Sequence, residues 1–351
     1  NMTKKLFAIL SVLIVGSMLL AACATPTEPP AASEEPTAKI KVCQITDTGG
    51  IDDKSFNATA WKGITDAQAQ FGIEAKYLES KEVADYEKNL NAFIEEKCDL
   101  IVTVGFLIGD ATKAAAEANP DIKFSIVDYN YDPAIPNVVG QIFNTDEAAF
   151  LAGYLAAGVS KTGVVGTFGG LPIPTVTIFM DGFYKGVAKY NEVKGTDVKV
   201  LGWDPATQTG LFSNSFDDQQ KGSELAKSLM DEGADIIMPV AGPVGLGAAA
   251  AIKERGNAYL IGVDSDWALT SPEYADITLT SVMKLMDATT MQVIQSVIDG
   301  TFKGGDVVGT LANNGVALAP FHELESLVPA ELAAEIEQLK ADIIAGTITL
   351  K

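Results

Sequence analysis

The chain has 351 residues, with 25 Lys and Arg against 46 Asp and Glu, which gives a formal net charge of -21. This length suits about two domains, and hydrophobic residues at 47% with charged residues at 20% are globular values. Nucleic-acid binding needs clustered Lys and Arg, so such an acidic chain argues against a nucleic-acid partner. One His and three Cys leave little for a zinc site or for imidazole catalysis, so we expect no metal and no cofactor.

The chain begins with the pattern of an export signal. Two lysines precede an apolar run over residues 6–20, and small residues then lead to Cys23. A membrane anchor is the alternative, but the run is shorter than the ~20 residues of a spanning helix. The ending Leu20-Ala21-Ala22-Cys23 resembles a bacterial lipobox. We therefore predict a signal peptide at 1–22 and lipidation of Cys23.

Residues 23–38 begin with the lipidated Cys and continue with Thr, Pro, Glu, Ala and Ser. Such a composition buries too little apolar surface to offset its ordering entropy, so it predicts a flexible tether. We expect a lipid-anchored protein on the extracytoplasmic face of the cell membrane.

Two further cysteines, Cys43 and Cys98, belong to the exported part. Export permits a disulfide between them. We favour the alternative, in which both are small buried hydrophobes in or beside neighbouring strands, because Cys is among the most buried residue types.

The first half of the body alternates short apolar runs with helical periodicity, beginning with a strand, a Gly-Gly loop and a helix. The predicted strands are 40–46, 74–78, 99–104 and 124–127, and the predicted helices are 56–71, 85–96 and 111–118. The apolar strands run continuously, which is typical of parallel strands covered on both faces.

A second round of the same alternation begins near Asp146. Its predicted helices are 147–160, 179–191, 220–232 and 247–255, and its predicted strands are 163–168, 197–203, 236–240 and 260–263. A strand at 277–281, a helix at 282–299 and a last strand–helix stretch that closes with residues 329–344 follow. The pattern predicts an α/β protein with two doubly wound parallel-sheet lobes joined by hinge strands. We expect lobe 1 at 39–143 plus 268–305, and lobe 2 at 144–267 plus 306–351.

Ligands of open parallel sheets bind outside the carboxyl ends of the strands. The loops at these ends combine Asp and Asn with aromatic residues and glycines. Carboxylates accept hydrogen bonds from sugar hydroxyls or base N–H groups, and aromatic faces stack on a flat ring. A small, polar, partly planar neutral ligand fits this chemistry, either a sugar or a nucleoside, whereas a phosphorylated ligand would meet an unfavourable field.

Several motifs resemble the basic membrane protein family, also called the PnrA-like family, of ABC-transporter substrate-binding lipoproteins. The matching segments are 47–57, 150–153, 166–170, 241–247, 262–266 and 281–284. This resemblance implies a type I periplasmic-binding-protein fold, no catalysis, a nucleoside, often a purine nucleoside, as cargo, and an ABC permease as partner. We also expect a monomer.

The resemblance further implies roles for aromatic and glycine residues. Phe56 would stack on one face of the base and Phe216 on the other, and Gly242 would let backbone approach the ligand closely. Phe212 is an open alternative to Phe216, because the loop that holds both is longer than the family's. Phe56 also lies on the apolar stripe of its helix, so a core position competes with stacking.

The polar roles follow in the same way from the resemblance. Asn57 and Asp128 would contact the base edge, Asp264 and Lys284 would hold the ribose hydroxyls, and Asp47 would line the same wall. Lys284 falls near the start of a predicted helix, where a cation opposes the helix dipole, so a functional reason for it is favoured.

Two other classes of function compete with a transport receptor. A sensor or adhesin of the same fold would bind a sugar or another small ligand without transporting it. A nucleoside hydrolase would need a metal or a tuned catalytic base, and the Asp-rich loops form no convincing ligand cluster.

Overall fold

The computed structural model describes residues 39–350. The predictions of a signal peptide, of lipidation at Cys23 and of a tether therefore lie outside the described residues. Strands and helices alternate along the rest of the chain, as the apolar pattern predicts. The strands are β1 (Lys41–Ile45), β2 (Glu74–Leu78), β3 (Leu100–Val104), β4 (Lys123–Val127), β5 (Val138–Phe143), β6 (Val164–Gly169), β7 (Lys199–Leu201), β8 (Trp203–Asp204), β9 (Thr209–Gly210), β10 (Ile236–Val240), β11 (Tyr259–Asp264), β12 (Thr278–Lys284), β13 (Gly305–Gly309) and β14 (Val316–Leu318).

The helices cover both faces of the sheets. They are α1 (Phe56–Phe71), α2 (Asp85–Glu95), α3 (Gly109–Ala118), α4 (Thr145–Val159), α5 (Pro174–Lys194), α6 (Gln219–Asp231), α7 (Val244–Arg255), α8 (Trp267–Thr270), α9 (Met286–Ile298) and α10 (Ala330–Ile344). None of these helices combines the length and apolar character that crossing a membrane requires.

Two six-stranded sheets organise the described chain, in the orders β13-β5-β4-β3-β1-β2 and β14-β12-β11-β10-β6-β7. Every pairing in the first sheet is parallel, and in the second only β14 runs antiparallel to its neighbour β12. The two orders correspond strand for strand, so β4 in the first sheet is the counterpart of β11 in the second. Asp128 directly after β4 and Asp264 at the end of β11 are therefore equivalent, and both have positive φ, 68° and 70°.

The late strands complete the two sheets, but not within the lobe boundaries that we predicted. β12 falls in the segment 268–305 that we predicted for lobe 1, yet it pairs along β11 in the second sheet. β13 begins at the edge of that segment and pairs with β5 in the first sheet. The chain thus passes between the sheets after β5, after β12 and after β13. A short apolar strand does not specify its partner, which is why sequence alone misplaced these elements.

The helix predicted from residue 282 begins later than expected. Residues 282–284 extend β12, and α9 starts only at Met286. Lys284 is consequently the last residue of a strand, not part of a helix start, so the dipole argument for its function was wrong. Only Leu285 separates β12 from α9, so no Gly, Pro or polar loop marks the boundary in the sequence. The sequence also missed β5 and β9, and it predicted one late strand without bounds where the structure has two, β13 and β14.

Cys43 and Cys98 form a disulfide. Cys43 lies in β1 and Cys98 just before β3, and the two strands are neighbours in the first sheet. Both residues are buried, as expected, but the favoured interpretation of two unbonded thiols was wrong. Strand adjacency, which the sequence does not state, brings the two sulfur atoms within bonding distance.

Candidate functional site: a cleft between the two sheets

A cavity lies where the carboxyl ends of strands from both sheets meet. The space between its walls, including the part open to solvent, is about 600 Å³. The first sheet and its loops contribute Asp47, Gly49, Asp53, Phe56, Gly105, Phe106, Leu107 and Asp128. The second sheet and its loops contribute Ile173, Thr175, Val176, Phe179, Phe216, Val240, Ala241, Gly242, Pro243, Val263, Asp264 and Lys284. One wall is thus rich in carboxylates, whereas the other is mainly apolar.

The structure brings most of the candidate ligand-binding residues to this cavity. Those that line it are Asp47, Phe56, Asp128, Phe216, Gly242, Asp264 and Lys284. Asn57 is the exception, and its place is described below. Their contacts with a ligand remain predictions.

Lys284 is a buried cation between the two sheets. Its Nζ lies 2.6 Å from Asp128 Oδ2 and 3.8 Å from Asp264 Oδ1, and its side chain is only 3% exposed. The same nitrogen lies 5.0 Å from the ring centre of Phe56 and 5.2 Å from that of Phe179, within cation–π range. Because Lys284 belongs to the second sheet and Asp128 to the first, this ion pair joins the two halves of the cleft.

The carboxylates beside Lys284 are shifted towards their neutral forms. Burial raises the pKa of Asp264 to about 6, although the charge of Lys284 opposes the rise. Burial also raises the pKa of Asp128, again against Lys284. Ser55 Oγ lies 3.1 Å from Asp264 Oδ2 and 3.1 Å from the carbonyl oxygen of Val263, which adds a second polar contact across the cleft.

Asn57 lies behind the wall of the cavity and is fully buried. Its Nδ2 donates to Asp47 Oδ1 at 2.6 Å and to Asp53 Oδ2 at 3.1 Å, and its Oδ1 accepts from the Asp47 N–H at 3.1 Å. The amide is thus occupied by protein groups, which differs from the predicted contact with a base edge. In this geometry Asn57 orients Asp47.

Asp53 also lines the cavity, although it is not among the site residues that the sequence analysis proposes. Its Oδ1 accepts from the N–H groups of Ser55 and Ala58, each at 3.0 Å, and its Oδ2 accepts from the Asn57 N–H at 2.7 Å. These bonds satisfy donors at the start of α1. Burial raises the pKa of Asp53 to about 7, and the hydrogen bonds oppose that rise.

Four phenylalanines give the cavity its aromatic surface. Phe216 lines it, whereas Phe212 packs edge-on against Trp203, with ring centres 6.1 Å apart, and is not part of the wall. The structure therefore favours Phe216 over Phe212 for the second aromatic position beside Phe56. Phe106 and Phe179 also line the cavity and were missed. Phe106 follows a glycine at a strand end, a signal that could have identified it, but Phe179 looks like ordinary helix core.

Two glycines with positive φ line the cavity. Gly105 has φ +113°, and a Cβ there would lie 3.2 Å from Asp47 Cβ. Gly242 has φ +53° in the turn before α7 and forms part of the wall. An L side chain rarely adopts such φ values, so glycine serves both turns.

The described residues place no metal-ligand cluster and no histidine in the cavity. Across residues 39–350, no group of three or more His, Cys, Asp or Glu side chains is placed to hold a metal ion. The only His of the sequence, His322, lies outside the cavity and contacts Asp266, with Nε2 2.7 Å from Oδ2.

Comparisons with known proteins agree with this architecture. The model of the family described as ABC transporter substrate-binding protein PnrA-like matches residues 40–351. Basic membrane protein A of Borreliella burgdorferi is 35% identical over 87% of this chain and 85% of its own length. The ABC transporter nucleoside-binding protein BmpA of Lactococcus lactis subsp. cremoris is 29% identical, covering 99% of both chains.

A solved structure supports the fold. The solute-binding protein of an ABC transporter system from Aeropyrum pernix superimposes with a TM-score of 0.80 at 27% identity, covering 88% of this chain and 92% of that one. The predicted α/β class and type I periplasmic-binding fold are thereby confirmed. Members of such a family bind a small molecule and deliver it to a permease. The chain belongs to the PnrA-like family of ABC transporter substrate-binding proteins.

Proposed function

We propose that this protein is a lipid-anchored, extracytoplasmic nucleoside receptor of an ABC importer. The observation that carries the proposal is a cavity in which phenylalanines from both sheets face a cluster of carboxylates. Flat rings stack on phenylalanine, and ribose hydroxyls donate to carboxylates, so one ligand with both parts uses both kinds of surface.

The aromatic contacts would supply much of the affinity. Phe56 comes from the first half of the cleft and Phe216 from the second, so a base between them would be held from both sides when the cleft closes. By analogy with single-strand binders, each base–aromatic stack contributes about 1–3 kcal/mol.

The polar contacts would hold the sugar. Asp264 and Lys284 would hold ribose hydroxyls, with Asp128 fixing the ammonium in place at 2.6 Å. Phosphate would meet the charges of several carboxylates, so nucleotides should bind worse than nucleosides. The name of the Lactococcus lactis relative, a nucleoside-binding protein, supports the same ligand class.

The membrane part of the proposal rests on the sequence around Cys23. Lipidation there would keep the receptor beside its permease. Cells expressing the full chain and Cys23→Ala should be labelled with a radioactive fatty acid. Label on the former and none on the latter is expected, and equal labelling would contradict the anchor.

Calorimetry with adenosine, guanosine, inosine, uridine and ribose tests the cargo. We expect heat with at least one nucleoside and much weaker binding of ribose. Phe56→Ala should weaken that nucleoside roughly 5- to 150-fold, the equivalent of about 1–3 kcal/mol. Phe212→Ala is the matched control, because Phe212 lies outside the cavity: it should lower the melting temperature without a comparable loss of affinity. No heat with any nucleoside would contradict the cargo assignment.

A further inference from the structure

Acidic side chains outnumber basic side chains in the lining of the cavity. Four carboxylates line it, Asp47, Asp53, Asp128 and Asp264, but Lys284 is the only cationic side chain among the lining residues. That ammonium lies between Asp128 and Asp264, at 2.6 and 3.8 Å. The other two carboxylates are therefore left without a cation of their own.

Asp47 and Asp53 share a neutral bridge. The Nδ2 of Asn57 lies 2.6 Å from Asp47 Oδ1 and 3.1 Å from Asp53 Oδ2, so the two carboxylates are close neighbours. Neither makes an ion pair with any residue between 39 and 350. Two adjacent carboxylates that are largely removed from water cannot both stay ionised at low cost, and such a pair tends to hold one proton.

Hydrogen bonding decides which carboxylate holds the proton. Both oxygens of Asp53 are saturated, since Oδ1 accepts two backbone N–H groups, and Oδ2 accepts the backbone N–H and the side-chain amide of Asn57. Asp47 Oδ1 accepts from Gly49 N–H and from Asn57. Asp47 Oδ2 lies beside Gly105 at the cavity wall. It accepts no hydrogen bond from any donor within the described chain. This oxygen is the place where a proton fits.

The other titratable groups around Asp47 favour the same outcome. Asp53, Asp128 and Asp264 are acidic, and the charge of Asp128 adds to the burial that raises the pKa of Asp47. Tyr86 on α2 stays neutral, because burial and the charge of Asp47 raise its pKa. Lys284 is already engaged by its two carboxylates.

A proton on Asp47 would also correct a shortage of donors. Among the side chains that line the cavity, only Lys284 and Thr175 can donate hydrogen bonds when every carboxylate is ionised. A nucleoside base carries ring nitrogens and carbonyl oxygens that need donors. A buried neutral carboxylic acid is a known way to supply one.

We propose that Asp47 binds the ligand as a neutral carboxylic acid, its Oδ2–H donating to an acceptor atom of the base, so that closure of the cleft takes up one proton from solvent. This inference rests on the proposed nucleoside binding. In the open, hydrated cleft the Asp47–Asp53 pair holds its proton less firmly than in the closed complex, so binding and protonation favour each other.

The sign of the pH effect follows from this linkage. A proton gained on binding makes the affinity fall as the pH rises above the pKa of the pair in the free protein. The Kd should then rise by up to about tenfold per pH unit.

Calorimetry with inosine between about pH 6 and about pH 8.5, in two buffers of different ionisation enthalpy, measures the proton count directly. We expect uptake of about one proton above neutral pH and a Kd that rises with pH. Asp47→Asn keeps a donor at every pH, so it should bind more tightly than wild type at the alkaline end and show no proton uptake. Asp47→Ala should lose affinity at every pH. Asp52→Asn, on an exposed side chain of the same loop, should behave as wild type.

The outcomes separate this inference from the proposed function. Binding with a constant Kd, no buffer-dependent heat, and loss of affinity in Asp47→Asn would show that Asp47 acts as an ionised acceptor, which would overturn the inference alone. No binding of inosine or of any other nucleoside at any pH would overturn the proposed function instead. Circular dichroism of each variant checks that it folds.

Discussion

Lys284→Met is the sharpest test of the electrostatic arrangement in the cleft. The substitution keeps an unbranched side chain but removes the ammonium that lies 2.6 Å from Asp128 and 3.8 Å from Asp264. The Lys284 side chain is 3% exposed and that of Asp128 is 7% exposed, so water replaces little of the lost attraction. Removal of one partner of a buried pair typically costs about 3–5 kcal/mol, since it leaves an uncompensated charge. We expect a loss of this size near pH 8.

The stability that Lys284→Met loses should be smaller at acidic pH, because the pKa values of the neighbouring carboxylates are raised. Burial holds the pKa of Asp264 at about 6, above its unfolded value, even with Lys284 present. Without the ammonium, the pKa values of Asp264 and Asp128 rise further. Above about pH 4 the folded variant then binds more protons than the unfolded chain. Its free energy of unfolding therefore falls as the pH rises from there to the raised pKa values of Asp264 and Asp128. The slope is up to about 1.4 kcal/mol per pH unit for each carboxylate.

Urea denaturation of wild type and Lys284→Met, near pH 8 and near pH 5, measures the loss in free energy of unfolding at each pH. A markedly smaller difference between the two proteins near pH 5 is expected. Asp128→Asn in the Lys284→Met background should recover part of the stability near pH 8. Lys62→Met is the matched control, because this lysine is 59% exposed and its ion pairs with Asp66 and Asp287 should each contribute below about 1 kcal/mol. Equal losses at both pH values would refute the reasoning.

Two further predictions concern the disulfide and Phe216. The Cys43–Cys98 disulfide closes a separation of 55 residues and so limits the entropy of the unfolded chain. The double variant Cys43→Ala with Cys98→Ala should therefore lower the free energy of unfolding, measured in urea, by about 4 kcal/mol. A loss below about 1 kcal/mol would contradict this chain-entropy argument. Phe216→Ala should weaken nucleoside binding by about 1–3 kcal/mol in calorimetry, with a smaller effect from Leu211→Ala on the same loop, and equal affinity in Phe216→Ala and wild type would remove this residue from the site.

The sequence predicted the alternating architecture well because parallel strands and amphipathic helices leave local patterns. β2 and β10 have the bounds that their patterns predict, and α1 spans its predicted range. Loops at the ends of such strands were then natural candidates for a site. The resemblance to the PnrA-like family then pointed to Asp47, Asp128 and Asp264 within these loops.

Other features depended on contacts between distant segments. The partner of β12 and the bond between Cys43 and Cys98 follow from the order of strands within the sheets, which no local pattern encodes. The choice between Phe212 and Phe216 likewise depended on a distant contact, because Phe212 packs against Trp203.

The site itself divides in the same way. Residue type and loop position, both readable from the sequence, determined that a carboxylate-rich and aromatic cleft would form. Only the tertiary structure decided how each polar atom is used, with Asn57 holding Asp47 and Asp53, and Lys284 joining Asp128 to Asp264. The physical reason is that a charge or a hydrogen-bonding group acts through its nearest neighbours in space, and in a closed cleft those neighbours come from segments far apart along the chain.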